Sequence, residues 1–73
     1  MQNTKKMENK RLVIEELSKE RVLFLSELME KFQVTRQTIH AWMKDGKIES
    51  GKFLGVVFFT ETQINKFLEE RGL

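Results

Sequence analysis

Leu25 to Lys44 reads LSELMEKFQVTRQTIHAWMK, and the rest of the chain is organised around it. Apolar residues fall at Leu25, Leu28, Met29 and Phe32, then singly at Val34, then at Ile39, Trp42 and Met43. That is one helix-period run, one apolar residue in a turn, and a second helix-period run. Thr35 stands just before the second run, where its hydroxyl can accept from the backbone N–H groups that open a helix. Two helices this short have little reason to stand alone in water. They need other elements to pack against, and the second helix then turns its polar side outward.

These twenty residues resemble a helix-turn-helix DNA-binding motif. Leu28, Phe32, Val34, Ile39 and Trp42 stand where that motif keeps apolar residues, and Thr35-Arg36-Gln37-Thr38-Ile39 resembles the start of its recognition helix. Two positions depart from the pattern. Met29 occupies a place usually held by a small residue. Gln33 occupies the place of a turn glycine, which asks it to adopt a left-handed backbone at modest cost.

The second helix is expected from about Arg36 to Lys44. The 3.6-residue period puts Ile39, Trp42 and Met43 on its inner face and Arg36, Gln37, His40, Ala41 and Lys44 on its outer face. Trp42 is thereby a core residue rather than a stacking platform. Arg36 can donate two hydrogen bonds to guanine O6 and N7, and Gln37 can pair with adenine N6 and N7. His40 can donate or accept at a base edge or phosphate, and Ala41 leaves room for a thymine methyl. Thr35, Thr38 and Lys44 suit phosphate oxygens, which fix register without reading sequence. Taken singly, Thr38, His40 and Ala41 read as ordinary surface positions. Arg36 and Gln37, at the start of the helix, read as base contacts.

Toward the N-terminus, Glu8 to Lys19 reads as a helix whose apolar stripe is Leu12, Val13, Ile14 and Leu17. It is expected to pack across the back of the two-helix unit. Residues 1–7 are polar and aperiodic, a flexible basic tail ahead of a domain at 8–73. Val22-Leu23-Phe24 is a short β-prone run. Ser26 is the expected cap of the next helix, with Glu27 in its first turn, where negative charge suits the helix dipole.

Toward the C-terminus, Asp45-Gly46 closes the second helix of the motif. Lys47 to Thr60 reads as a β-hairpin with its turn at Ser50-Gly51 or at Leu54-Gly55. Lys47 and Lys52 are placed to reach a phosphate backbone. Val56-Val57-Phe58-Phe59 is more apolar than a half-exposed hairpin requires, so it either packs on both faces or meets a second copy of the chain. Thr60-Glu61-Thr62-Gln63 is a capping box, and Phe59 and Ile64 are spaced for a hydrophobic staple. Ile64, Phe67 and Leu68 continue as the stripe of a last helix to about Arg71, with Gly72 as its stop.

Charge is unevenly spread. The net charge is only +2, but Lys31 to Lys52 holds five cations against Asp45 and Glu49, while Leu12 to Glu30 holds two against five glutamates. One basic side and one acidic side is what phosphate binding by a single face needs. Seventy-three residues make one small domain. There is no Cys, and no apolar run of membrane-spanning length, so no membrane partner is expected. The polar N-terminus has no signal-peptide core, and a cytoplasmic location is expected. One His, one Asp, no Cys and no Tyr leave no nucleophile–base pair and no metal cluster, and no Gly-rich phosphate loop is present. The chain is expected to be no enzyme and to need no cofactor or metal.

Two family resemblances extend past the motif. Arg11 to Gly46 resembles the winged helix at the N-terminus of DeoR-type repressors. Leu25 to Glu70 resembles the excisionase and MerR-type module, in which helix-turn-helix, hairpin and closing helix follow in that order. The capped final helix favours the second, and a whole DeoR-type regulator with a sugar-sensing domain is not expected. The resemblance implies an α+β fold, a small winged helix-turn-helix domain of three to four helices with a two- or three-stranded β-hairpin wing. It implies binding of double-stranded DNA, often with bending. The role would be that of an excisionase-type recombination directionality factor or a small transcriptional regulator of a phage or mobile element. So small a domain covers few base pairs, so a homodimer, cooperative copies on DNA, or an integrase or other DNA-bound protein is expected beside it. The alternative is a winged-helix module for protein–protein interaction that uses the apolar hairpin, through Phe53 or Val57.

Overall fold

The structure, a computed structural model, describes the backbone of residues 2–71 and the side chains of residues 9–71. The elements are α1 (Gln2–Ser18), β1 (Val22–Phe24), α2 (Leu25–Phe32), α3 (Arg36–Lys44), β2 (Gly51–Phe53), β3 (Val56–Thr60) and α4 (Glu61–Glu70). The three strands form one antiparallel sheet in the order β1-β3-β2. This is a small α+β winged-helix-like fold, and α2, α3 and the β2–β3 hairpin stand where the pattern of Leu25 to Thr60 puts them. Helix α1 begins at Gln2, so the backbone of the stretch assigned to a tail is helical from that residue. The stop expected at Gly72 lies outside the described residues.

Local signals set most of the boundaries. Gln33 does take the left-handed backbone, at φ 55°, and Val34 N–H donates to the Met29 carbonyl at 3.0 Å to turn the chain out of α2. Gly46, at φ 73°, ends α3 with a pair of reversed bonds, from Gly46 N–H to the Met43 carbonyl and from Lys47 N–H to the Trp42 carbonyl. The capping box of α4 is complete: Thr60 Oγ1 accepts from Gln63 N–H at 3.1 Å, and Gln63 Oε1 accepts from Thr60 N–H at 3.0 Å. Its staple closes as well, since Phe59 and Ile64 share the main core. Ser26 is not the cap of α2. The strand runs directly into that helix, which makes Phe24 the N-cap, and Glu27 reaches back to accept from Phe24 N–H at 2.9 Å.

The hairpin turn lies at Leu54-Gly55, because Phe53 pairs with Val56 and only two residues remain between them. Both turn residues have positive φ, 50° and 78°, as a two-residue turn of this kind demands. Gly51, the other candidate, lies within β2 opposite Phe58, and a methyl group there would collide with the Phe58 ring.

The apolar run of β3 packs on both faces of the sheet. Leu23, Val57 and Phe59 face a core of Leu28, Ile39, Ile48, Ile64 and Phe67 contributed by α2, α3, the α3–β2 connection and α4. Val22, Phe24, Phe53, Val56 and Phe58 face the other way and gather around Ile14 of α1. The alternation is the period-2 pleat applied to a continuous apolar run. It corrects the expected position of α1, which packs on the sheet face remote from α2 and α3, not across their back. Among its described residues only Ile14 is buried, and Leu12, Val13 and Leu17 of the expected stripe are exposed.

Arg11 fastens α1 to the rest. One guanidinium nitrogen donates to the Val22 carbonyl at 2.9 Å, another meets Glu27 Oε2 at 2.6 Å, and the group lies 4.5 Å from the centroid of the Phe24 ring. Burial pushes the Glu27 carboxyl up. Hydrogen bonds from Arg11 and Phe24 N–H, with the Arg11 charge, outweigh burial and hold it below the usual 4.5. A carboxylate depressed in the folded state contributes stability that is present above the unfolded pKa and lost as pH falls through the folded one. Acid titration of unfolding free energy should therefore decline below about pH 4.5. Glu27→Gln should flatten that decline while lowering neutral-pH stability by about 1 kcal/mol. An unchanged acid limb in the variant would show that the decline arises elsewhere.

Candidate nucleic-acid interface

Helix α3 is held by its inner face. Ile39 is fully buried, and Trp42 and Met43 pack at the edge of the same core. Trp42 sits among rings, 4.7 Å from the Phe67 centroid and 6.1 Å from that of Phe32 in an edge-on arrangement, with the Arg71 guanidinium over it at 5.7 Å. An anchored inner face leaves the outer one rigidly displayed. Arg36, Gln37, His40, Ala41 and Lys44 are all exposed along it.

The start of α3 presents hydroxyl and amide groups outward. Thr35 caps the helix, its Oγ1 accepting from Thr38 N–H at 3.2 Å. The Thr35 and Thr38 hydroxyls are also hydrogen-bonded to each other at 3.0 Å. That bond uses one of the two hydroxyl protons, so the other remains available to donate outward. Thr35 is exposed and Thr38 half-buried. The amides of Arg36 and Gln37 open the helix at its positive dipole end.

Among the described residues the cations around α3 form no ion pair. Among the described residues the ion pairs are Arg11–Glu27 at 2.6 Å and Lys66–Glu49 at 3.7 Å. Arg36, Lys44, Lys47 and Lys52 therefore have no carboxylate partner there. Lys47 is exposed just past the end of α3. Lys52 is exposed in the middle of β2, paired across the sheet with Val57, whose side chain faces the main core. Cross-strand partners share a sheet face, so Lys52 lies on the side that carries the helix-turn-helix. The nine residues singled out from sequence thus fall on α3, its cap, the connection after it and one strand.

The model of the family described as Helix-turn-helix domain matches residues 23–72. The chain belongs to that helix-turn-helix family. The match runs from β1 through the closing helix, and it is of the excisionase-like kind. Comparison with curated proteins and with solved structures returns no match. The family is of a DNA-binding, non-enzymatic kind, and the partner of this helix-turn-helix domain is DNA. None of the described helices is long and apolar enough to cross a membrane.

Sequence reasoning missed the residues that act between elements. Arg11 lies outside the apolar stripe of its helix and reads as a surface charge, yet it joins α1, β1 and α2. Glu20 accepts from Thr62 N–H at 2.7 Å and so tethers the start of α4; the Thr62 hydroxyl and then this N–H hold its carboxyl below the usual range. Glu15 accepts from Val22 N–H at 3.0 Å. Partners seven to forty-two residues apart leave no local periodic signal.

Proposed function

We propose that this domain binds double-stranded DNA sequence-specifically by laying α3 in the major groove. Arg36 and Gln37 read base edges, and His40 and Ala41 complete the contact surface. Thr35, Thr38 and Lys44 hold phosphates at the groove edge, while Lys47 and Lys52 hold the backbone beside the wing. The observation that carries this is the outer face of α3: exposed, basic, without a carboxylate partner among the described residues, and fixed in place by a fully buried Ile39. A flexible display would lose affinity to ordering, and this one is preorganised.

The excisionase-like family and the order helix-turn-helix, hairpin, closing helix support a narrower role. It is that of a recombination directionality factor working beside an integrase, or of a small regulator of a phage or mobile element, acting on DNA in the cytoplasm. One domain with a single short recognition helix covers few base pairs, so specific affinity needs a second copy or a DNA-bound partner. The protein-interaction alternative has less support, because Phe53 and Val57 are each partly buried against an internal core.

Binding-site selection on random duplex DNA tests the reading. A recovered motif of a few base pairs, repeated at a fixed spacing, is expected. Direct repeats would indicate copies side by side, and inverted repeats a two-fold dimer. Recovery of no motif at low salt would reject sequence-specific binding.

A further inference from the structure

Helix α1 turns most of its large apolar side chains away from the fold. Leu12 at 64%, Val13 at 45% and Leu17 at 66% are three of the four large apolar residues exposed among the described ones, and the sheet takes only Ile14 from this helix. Val13 and Leu17 are one turn apart and Leu12 lies beside Val13, so the three share one outer face. The same period puts Glu16, exposed, and Lys10, half-buried, on that face, three residues to either side of Val13. A single exposed apolar residue is ordinary, but a group on one helix face marks an interaction surface. Charge along the helix is ordered as well. Gln2 to Arg11 holds four cations against Glu8, and Leu12 to Glu20 holds Lys19 against three glutamates.

We propose that this face pairs with the same face of a second copy of the chain, the two α1 helices running antiparallel about a two-fold axis near Val13. Charge selects both the occupant and the direction. Antiparallel pairing sets the basic end of each helix against the acidic end of the other and brings Lys10 of one copy level with Glu16 of the other, whereas parallel pairing sets like charges together. A surface that carries both signs in this order is complementary to itself, which is what a two-fold contact requires. Leu12, Val13 and Leu17 then leave water in the middle of the contact, with the charges at its ends. Position permits the pairing too. Helix α1 lies on the sheet face remote from α2 and α3, so Arg36, Gln37 and Lys44 stay uncovered. One helix of 17 residues supplies less than the roughly 800 Å² that each side of a stable interface buries, so the pair is weak in free solution. The inference goes beyond the DNA-binding reading and stands independently of it, since the pairing needs no DNA.

Sedimentation equilibrium of the full chain without DNA, at low salt and up to about 1 mM, should show a monomer–dimer equilibrium with a dissociation constant in the range of roughly 10–1000 μM. Leu17→Lys should weaken it about tenfold or more, with an unchanged Tm because Leu17 is exposed in the single chain. Lys10→Glu and Glu16→Lys should each weaken the dimer, and the two together should restore it, a rescue that a merely structural role does not produce. Cysteine cross-linking reads the direction. The chain has no Cys, so any disulfide in a single-cysteine variant joins two copies. Val13→Cys should cross-link readily on oxidation, and Leu17→Cys slowly, because antiparallel pairing holds the two copies of position 17 apart. A wild-type chain that stays monomeric at about 1 mM overturns the pairing and leaves the face to a partner of another kind. A dimer that Leu17→Lys leaves intact, or Leu17→Cys cross-linking as fast as Val13→Cys, overturns it too. In each of these cases duplex binding by α3 is untouched. A chain that dimerises as described but binds no duplex at low salt would remove the DNA-binding reading and keep the pairing.

Discussion

Phe59→Ala is expected to remove a large part of the domain's stability, about 3–5 kcal/mol. Phe59 is fully buried in β3, the middle strand of the sheet, paired with Leu23 of β1 and packed with Leu28, Ile39, Ile48, Ile64 and Phe67. It also supplies the staple that orients α4. Truncating a buried phenylalanine costs about 3–5 kcal/mol through lost transfer free energy and the cavity left behind. A domain of this length has a total stability of about 4–10 kcal/mol, so the loss consumes much of it. Phe58→Ala, one residue away, should cost less than half as much, because Phe58 is only half-buried and faces the smaller α1 cluster. Urea denaturation followed by circular dichroism checks the pair. Equal costs for the two variants would contradict the assignment of β3 to two unequal cores.

The second large effect concerns DNA. Arg36→Ala should weaken binding to the selected site by about 1–3 kcal/mol, roughly 5- to 150-fold, and relax preference at one base pair. Lys44→Ala should weaken binding to all sequences alike and reduce the slope of log K against log salt by about 1. The physical difference is that a bidentate guanidinium reads a base edge, whereas an ammonium at a phosphate releases a counterion. Arg21→Ala, at an exposed position leading into β1, should leave the slope unchanged. Fluorescence anisotropy over a salt series measures all three. A wild-type affinity that does not fall with salt, or equal losses for Arg36→Ala and Arg21→Ala, would displace α3 from the role of recognition helix.

What the sequence could show was local. The caps at Thr35, Gly46 and Thr60 act over three to five residues, and each is found where the letters place it. The left-handed Gln33 was legible because the motif requires that geometry and Gln33 stands where the motif has glycine. The outer face of α3 follows from helical period alone, since Ile39, Trp42 and Met43 must turn inward together. Ser26 misled for an equally local reason. A serine two residues before an apolar position is a good cap, but β1 runs straight into α2, so the cap falls at Phe24 and the capping group is Glu27.

By itself, then, the sequence determined the order of the elements, the ends of α3 and α4, and which side chains α3 turns outward, because each depends on contacts within one or two helical turns. Tertiary structure decided the rest. It chose Leu54-Gly55 as the turn, because the register of β2 on β3 leaves only two residues between Phe53 and Val56. It moved α1 to the far face of the sheet, because the apolar run of β3 has two sides to cover and α2, α3 and α4 cover only one. It made Arg11 a fastener and left Leu12, Val13 and Leu17 in water. A continuous apolar strand states that both faces are buried but not by what; only packing all the elements at once answers that.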